Sequence, residues 1–188
     1  MKLKTTIAAL AGVLFAVSSF AQGTVTFNNT PSQAVVDSRT GAAVVSGVAI
    51  AGLYFTTDLG AVPDPSVPND GFQLAATTVV APSPIFAGVY SGGTAMVPGV
   101  LEGTQVLFQV RAWSVGFANY AEALASGAPT QVGASNTGIL TVGGPSVPTP
   151  ATSSFVQSFD ITPVPEPSTV VLGLLGGLGA MLLLRRRK

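Results

Sequence analysis

The sequence predicts an all-β domain, an antiparallel sandwich of immunoglobulin-like or jelly-roll type with one short helix, between an N-terminal signal helix and a C-terminal transmembrane helix. Three observations support this prediction. The 188 residues include 22 glycines and 14 prolines, which favour turns over helices. Between the turns lie short segments rich in Val, Thr, Ile and aromatic residues, which favour strands. The longest uninterrupted apolar runs stand near the two ends of the chain.

The start of the chain has the three parts of a secretory signal peptide. Lys2 and Lys4 form a basic region, and residues 7–17 form an apolar run. Ser19 and Ala21 then supply the small residues that signal peptidase requires before its cleavage site. The sequence therefore predicts a signal peptide over residues 1–21, cleaved between Ala21 and Gln22. An uncleaved anchor is the alternative, and the short apolar run argues against it.

Residues 22–162 form the predicted sandwich domain, and residues 161–167 are expected to link it to the tail. We predict strands at residues 24–27, 43–57 with a bend at Gly47, 72–80, 85–90, 104–114, 137–142 and 154–161. Residues 43–57 are apolar on both faces, with Ile50 and Tyr54 on one side and Leu53 and Phe55 on the other, which is typical of a central strand.

The helix is predicted at residues 119–126, where Asn119 is a suitable N-cap and Gly127 a suitable end. Turns are predicted at Ser91-Gly92-Gly93, at residues 97–100 and at Glu102-Gly103, because glycine and proline are typical turn residues.

The cleanest alternation lies at residues 104–114. Val106, Phe108, Val110 and Ala112 share one face, and Leu107, Gln109, Arg111 and Trp113 share the other. We expect the first face to meet the core, Arg111 to face water and Trp113 to close the edge of the core. The alternative is a ligand contact, in which Trp113 and Tyr120 stack on sugar rings and Arg111 holds an anionic group.

Charge and composition exclude several function classes. Residues 22–164 contain two arginines and seven carboxylates and no lysine, hence a net charge of −5. Nucleic acid is therefore a disfavoured partner, because phosphate binding needs clustered cations. The chain has no cysteine and no histidine, which removes disulfides, the usual catalytic base and the commonest metal ligand. We predict no enzyme activity, no catalytic residue, no metal site and no cofactor.

Two patterns leave calcium binding and glycoside hydrolysis as alternatives. The loop from Asp58 to Asp70 carries several oxygen ligands of the kind that calcium prefers, although its spacing is not that of an EF-hand. Glu102 and Glu122 are carboxylates of the type that glycosidases use in pairs, although nothing in the sequence places them together. Solvated surface positions explain both patterns more simply.

The tail combines an apolar run with a basic end. Residues 170–184 are uncharged and apolar, and as a helix they extend roughly 22 Å, a short but tolerable membrane span. Arg185, Arg186, Arg187 and Lys188 follow as a membrane stop, and positive residues stay on the cytoplasmic side. A buried helix of a soluble core is the alternative, and the four terminal cations argue against it.

Pro165, Glu166 and Pro167 precede this run, and the prolines favour extended backbone. The tripeptide, the short span and the basic end together resemble the PEP-CTERM sorting signal of bacteria, here over residues 163–188. The resemblance implies recognition of Pro165, Glu166 and Pro167 by an exosortase, a membrane protease. It also implies anchoring in the inner membrane, followed by transfer to the cell surface or extracellular matrix. The segments GTVTFNN, QVRAW and NYAEALAS further resemble exported proteins with the same tail, which bears only on the fold.

These observations favour an exported surface or extracellular-matrix protein with a structural or interaction role. A carbohydrate-binding module of the exopolysaccharide matrix is the first alternative, with Arg111, Trp113 and Tyr120 as contacts. A glycan-active hydrolase that uses Glu102 or Glu122 is the second.

Overall fold

The computed structural model of the protein describes residues 22–68, 70–81, 83–126 and 130–164. These ranges contain nine strands, one α-helix and three 3₁₀ helices. The strands and the α-helix are β1 (Gln22–Asn28), β2 (Val35–Asp37), β3 (Ala42–Ala43), β4 (Ala49–Thr56), β5 (Gln73–Val79), β6 (Ser91–Leu101), β7 (Gln105–Ser114), α1 (Tyr120–Ala125), β8 (Gln131–Thr141) and β9 (Phe159–Pro163). The 3₁₀ helices are Pro31–Gln33, Pro84–Phe86 and Thr152–Ser154.

The strands form two sheets, which confirms the all-β prediction with one short helix. One sheet has seven strands in the order β3-β2-β9-β8-β7-β4-β5, and the other pairs β1 with β6. The pairing is antiparallel except between β2 and β9, where Val36 lies beside Asp160 in parallel register. The prediction of a purely antiparallel sandwich is wrong at this pair. These two strands are far apart in sequence, so no hairpin imposes the opposite direction on them.

The inner faces of the two sheets enclose an aliphatic core, here called the inter-sheet core. It contains the predicted inward face of β7, and Leu53 and Phe55 of β4. The two-stranded sheet supplies Val25, Phe27 and Val97 from the opposite side. Period-two alternation therefore predicted this core correctly, because side chains two apart on a strand share a face.

The other face of the seven-stranded sheet carries a second core, here called the outer core. It is formed by Tyr54, Trp113, Tyr120, Ala123, Val132 and Val164. Both faces of β4 are consequently buried, as predicted for a central strand. Both faces of β7 are buried too, so the expected water-facing side of this strand is wrong.

The remaining differences concern glycine and proline. Residues 84–86 form a 3₁₀ helix and Tyr90 makes an isolated bridge, so the strand predicted at 85–90 is wrong. Strand β6 instead runs through the glycine- and proline-containing segments predicted as turns. Gly93 and Gly99 have φ values of +68° and +72°, so these glycines allow the backbone to be irregular within the strand.

Two strands start at other residues than predicted. Strand β8 begins at Gln131, six residues before the predicted start, and β9 begins only at Phe159.

Candidate functional site

The outer core is built around Arg111. Strand β7 directs this side chain onto the outer face of the sheet, where it is 1% exposed. Its guanidinium carbon lies 4.8 Å from the ring centre of Tyr54, and 5.3 Å from those of Phe72 and Tyr120. Aromatic faces attract a cation, and the attraction strengthens where water is excluded. The arginine is therefore held in an aromatic box instead of in solvent.

Asp70 supplies the counter-charge from the loop between β4 and β5. Its carboxylate accepts a short hydrogen bond from Nη2 of Arg111, and its side chain is only 4% exposed. Arg111 also donates from Nε to Oε1 of Gln109 at 2.8 Å, and Gln109 in turn donates to the carbonyl of Ser135 at 3.0 Å. Because the ion pair is buried and hydrogen-bonded, it fastens the 58–71 loop to the sheet.

The three predicted ligand contacts meet in this core. Trp113 is fully buried and donates from Nε1 to the carbonyl oxygen of Phe117 at 3.0 Å. Tyr120 is 3% exposed, and its ring lies edge-on to that of Trp113 at 6.5 Å between centroids. Burial raises the pKa of Tyr120 to about 12. The expectation that Arg111 faces water is wrong. Arg111 and Trp113 are enclosed by the fold, and Tyr120 reaches the surface only in the wall of a groove.

A shallow groove of about 330 Å³ borders the outer core, between the 58–71 loop, α1 and strands β8 and β9. Leu124 and Val132 supply apolar walls, and Ser66, Asp160 and Thr162 supply polar groups. Sequence reasoning missed this groove, because its walls come from four separate segments and no local motif marks it.

Two other carboxylates of the 58–71 loop, those of Asp58 and Asp64, serve the turns of the loop itself. Oδ1 of Asp58 accepts from the backbone N–H of Gly60 at 3.0 Å. Oδ1 of Asp64 accepts from the hydroxyl of Ser66 and from the backbone N–H of Ser66 at 3.0 Å, and these two bonds lower the pKa of Asp64. Within the described ranges no group of three carboxylates is arranged to hold a metal ion. The calcium hypothesis gains no support from this geometry.

Glu102 lies in the turn before β7, whereas Glu122 lies in α1, which packs over the outer face of the sheet. Glycosidases use a pair of carboxyls about 5 to 10 Å apart, but these two belong to separate hydrogen-bond networks. Glu102 accepts from the backbone N–H of Ser146 at 3.0 Å, and Glu122 from that of Ala118 at 2.8 Å. The predicted cap is confirmed, because Oδ1 of Asn119 accepts from the backbone N–H of Glu122 at 2.9 Å. The predicted helix end, Gly127, lies outside the described residues.

The chain stays within the fold up to Val164. Strand β9 pairs with β8 at Pro163 and Gln131. The backbone N–H of Val164 then donates to the carbonyl oxygen of Thr130 at 2.7 Å, and its side chain packs in the outer core. The linker expected from residue 161 is therefore wrong over its first four residues, which β-pairing and burial hold in place.

The terminal signals lie largely outside the described residues. This holds for Ala21, for Pro165, Glu166 and Pro167, for the predicted span at 170–184, and for Arg185, Arg186, Arg187 and Lys188. Gln22 is the first described residue, and it opens β1 in register with Leu101. Among the residues that the structure describes, no helix has the length and apolar character needed to cross a membrane.

Comparison with known proteins identifies the tail. Residues 163–188 match the family model described as the PEP-CTERM protein-sorting motif. No curated protein and no solved structure matches the chain. The matched segment begins in the last strand of the domain, at Pro163. The chain therefore carries a PEP-CTERM protein-sorting motif at its C-terminus, consistent with an exosortase substrate.

Proposed function

We propose that the protein is an exported surface or extracellular-matrix protein, with a structural or interaction role and no catalytic activity, that an exosortase releases from its tail. The observation that carries this proposal is the direct junction between motif and domain. Pro163 and Val164 belong both to the matched motif and to the fold. The β-domain is thus the cargo that the sorting motif delivers.

The order of events follows from the two ends. The signal peptide directs the chain across the inner membrane, and the apolar tail holds the precursor there with its basic end inside. The Pro165-Glu166-Pro167 segment is the recognition element for the protease. Cleavage after Val164 leaves every strand of the domain in place, since the last pairing is that of Pro163 with Gln131.

The proposed structural role is supported by how the polar side chains are used. The pair of Arg111 and Asp70 fixes a loop on the sheet, and Glu102 and Glu122 each accept a hydrogen bond from a backbone N–H group. These charged groups stabilise the fold and its turns. This use of the charged side chains is expected of a domain with a structural or interaction role.

The sorting proposal is tested in a host that contains an exosortase. We expect the full chain with Pro165→Ala, Glu166→Ala and Pro167→Ala together to remain in the membrane fraction as an uncleaved precursor. The control is Asp58→Ala, an exposed change in the domain that leaves release unchanged. Release of the triple variant at the rate of the unaltered protein would contradict the proposal.

A second candidate function is carbohydrate binding, favoured by the groove beside the outer core. Its mixture of apolar walls with Ser66, Asp160 and Thr162 suits the hydroxyl groups of a sugar. We expect Asp160→Asn to weaken retention of the protein on the exopolysaccharide of its host, and Asp58→Asn to have no effect. Equal retention of both variants would remove this candidate.

A further inference from the structure

The chain leaves the domain at one end of the seven-stranded sheet. Val164 follows Pro163, which pairs with Gln131 at the start of β8. The backbone N–H of Gln131 donates to Oγ of Ser114, the last residue of β7, at 2.9 Å. Nε2 of Gln131 donates to Asp37, the last residue of β2, at 2.8 Å. We call this end of the sheet, which also carries Arg39, Val45, Val48 and Val115, the exit end.

The opposite end of the sheet is far from this point. Strand β7 begins there at Gln105, directly after the turn that contains Glu102. Thr56, the last residue of β4, lies beside Leu107, so Asp58 and Leu59 are at the same far end. With 10 residues in β7, the two ends are about 30 Å apart.

Only five residues, 165–169, separate Val164 from the apolar run that begins at Val170. Five residues span at most about 18 Å, even when they are fully extended. The lipid headgroup layer takes up roughly 5–8 Å of that length. A precursor held by its tail therefore keeps the exit end close to the bilayer, whereas the far end lies beyond the reach of this short connection.

The surface of the exit end fits such a position. Val45 and Val115 are apolar and 59% and 44% exposed, as much as Leu101 and Leu59 at the far end. The short connection to the tail, and not the exposed apolar area alone, therefore selects the exit end. Val45 lines an apolar groove of about 400 Å³ together with Arg39 and Val48, and the carbonyl of Val48 accepts from the backbone N–H of Val115 at 3.0 Å.

The exit end carries less uncompensated negative charge than the far end, because Asp37 is paired with Arg39. Arg39 and Arg111 are the only cations in residues 22–164, and Arg111 is buried. The exposed cation of that segment, Arg39, thus stands at the exit end, paired with Asp37. The far end carries the carboxylates of Asp58 and Glu102, which an anionic lipid surface repels.

We propose that the exit end is a membrane-docking surface, which rests on the phospholipid bilayer while the tail is still attached. The inference depends on the proposed function, because it requires the tail in the membrane. Docking sets the height of Pro165-Glu166-Pro167 at the lipid surface, where a membrane-embedded protease acts. It also leaves the far end of the domain directed away from the membrane.

The test uses the exported precursor without its signal peptide, residues 22–188, because Gln22 pairs with Leu101 and an attached signal helix would carry the far end to the lipid. This chain has no cysteine of its own. Single variants Val115→Cys and Val45→Cys place a fluorophore at the exit end, and Leu101→Cys and Leu59→Cys place it at the far end on similarly exposed side chains. The uncleaved proteins are reconstituted in vesicles of phosphatidylcholine and phosphatidylglycerol that contain headgroup-nitroxide lipid. We expect loss of fluorescence at positions 45 and 115, and no loss beyond background at positions 59 and 101.

The outcomes separate the two proposals. Proteins that float with the vesicles and show equal quenching at both ends, or stronger quenching at positions 59 and 101, overturn the docking surface while the anchored tail stands. Proteins that do not float with the vesicles overturn the anchored tail itself, and with it the docking surface.

Discussion

The two faces of the seven-stranded sheet are stabilised by different physical means. Most side chains of the inter-sheet core are aliphatic, and five aromatic rings pack between them, those of Phe27, Phe55, Tyr90, Phe108 and Phe159. The outer core is aromatic, and it surrounds the ion pair of Arg111 and Asp70. Apolar burial is non-directional, and it tolerates any side chain of suitable size. A buried ion pair requires both partners in place, so the outer core depends on single residues to a degree that the inter-sheet core does not.

Removal of one partner of the ion pair should have the largest effect. Asp70→Ala leaves the charge of Arg111 buried without compensation, and we expect it to lower the free energy of unfolding by about 3–5 kcal/mol. Urea denaturation followed by circular dichroism measures the change.

The matched control is Asp64→Ala in the same loop, whose carboxylate is exposed and for which we expect no more than about 1 kcal/mol. The double variant Asp70→Leu with Arg111→Met removes both charges, and we expect it to regain most of the lost stability. If Asp70→Ala costs no more than Asp64→Ala, the ion pair does not hold the outer core.

The inter-sheet core should respond to lost volume alone. Leu53 is fully buried between the sheets, and Leu53→Ala should cost about 2–5 kcal/mol through lost burial and the cavity it leaves. Val79→Ala, at an exposed strand position, is the control and should be close to neutral. Leu53→Met should recover most of the loss, since it restores volume without directional contacts. If Leu53→Met is as unstable as Leu53→Ala, the inter-sheet core depends on more than side-chain volume, and the proposed difference between the two cores is wrong.

Overpacking of the outer core should have a smaller effect. Gly52 lies beneath Trp113, and an added Cβ would stand 2.7 Å from the indole ring. Gly52→Ala should therefore displace the ring, cost about 1–3 kcal/mol and shift the emission of the single tryptophan. Gly60→Ala is the control, because its nearest neighbour would be 3.5 Å away. An unchanged emission maximum in Gly52→Ala would show that the Trp113 ring accommodates the added Cβ without moving, which would contradict tight packing at this position.

The tyrosines should not make the free energy of unfolding depend on pH near neutrality. Their effect on stability should appear only in alkali. Burial raises the pKa of Tyr120 to about 12, and it raises the pKa of Tyr54 and Tyr90 above the ordinary value of 10. The folded protein then binds more protons than the unfolded chain above pH 10, so stability falls as the pH rises from about 10 to 12. Tyrosinate absorbance at 295 nm should appear together with unfolding. Its appearance near pH 10 in a still-folded protein would contradict the burial of these rings.

Local patterns predicted the parts of the molecule that depend on local sequence. Alternation over β7 identified the inward face of Val106 and Phe108, and the Asn119 cap followed from residue type. The burial of Arg111 did not follow, because its partner Asp70 lies 41 residues away in a proline-rich loop. Strand β6 was missed because its glycines resemble turn residues until pairing with β1 shows them to be irregularities. The sorting motif was predicted because it consists of consecutive residues and requires no knowledge of the fold.

The most direct measurement is the intact mass of the mature protein, recovered from the extracellular fraction of an exosortase-containing host. We predict a chain that begins at Gln22 and ends between Val164 and Pro167, with every strand retained and the tail removed. A chain in the membrane fraction that still ends at Lys188 would show that the tail is a permanent anchor. An end before Ile161 would contradict the intact β-domain as the delivered product.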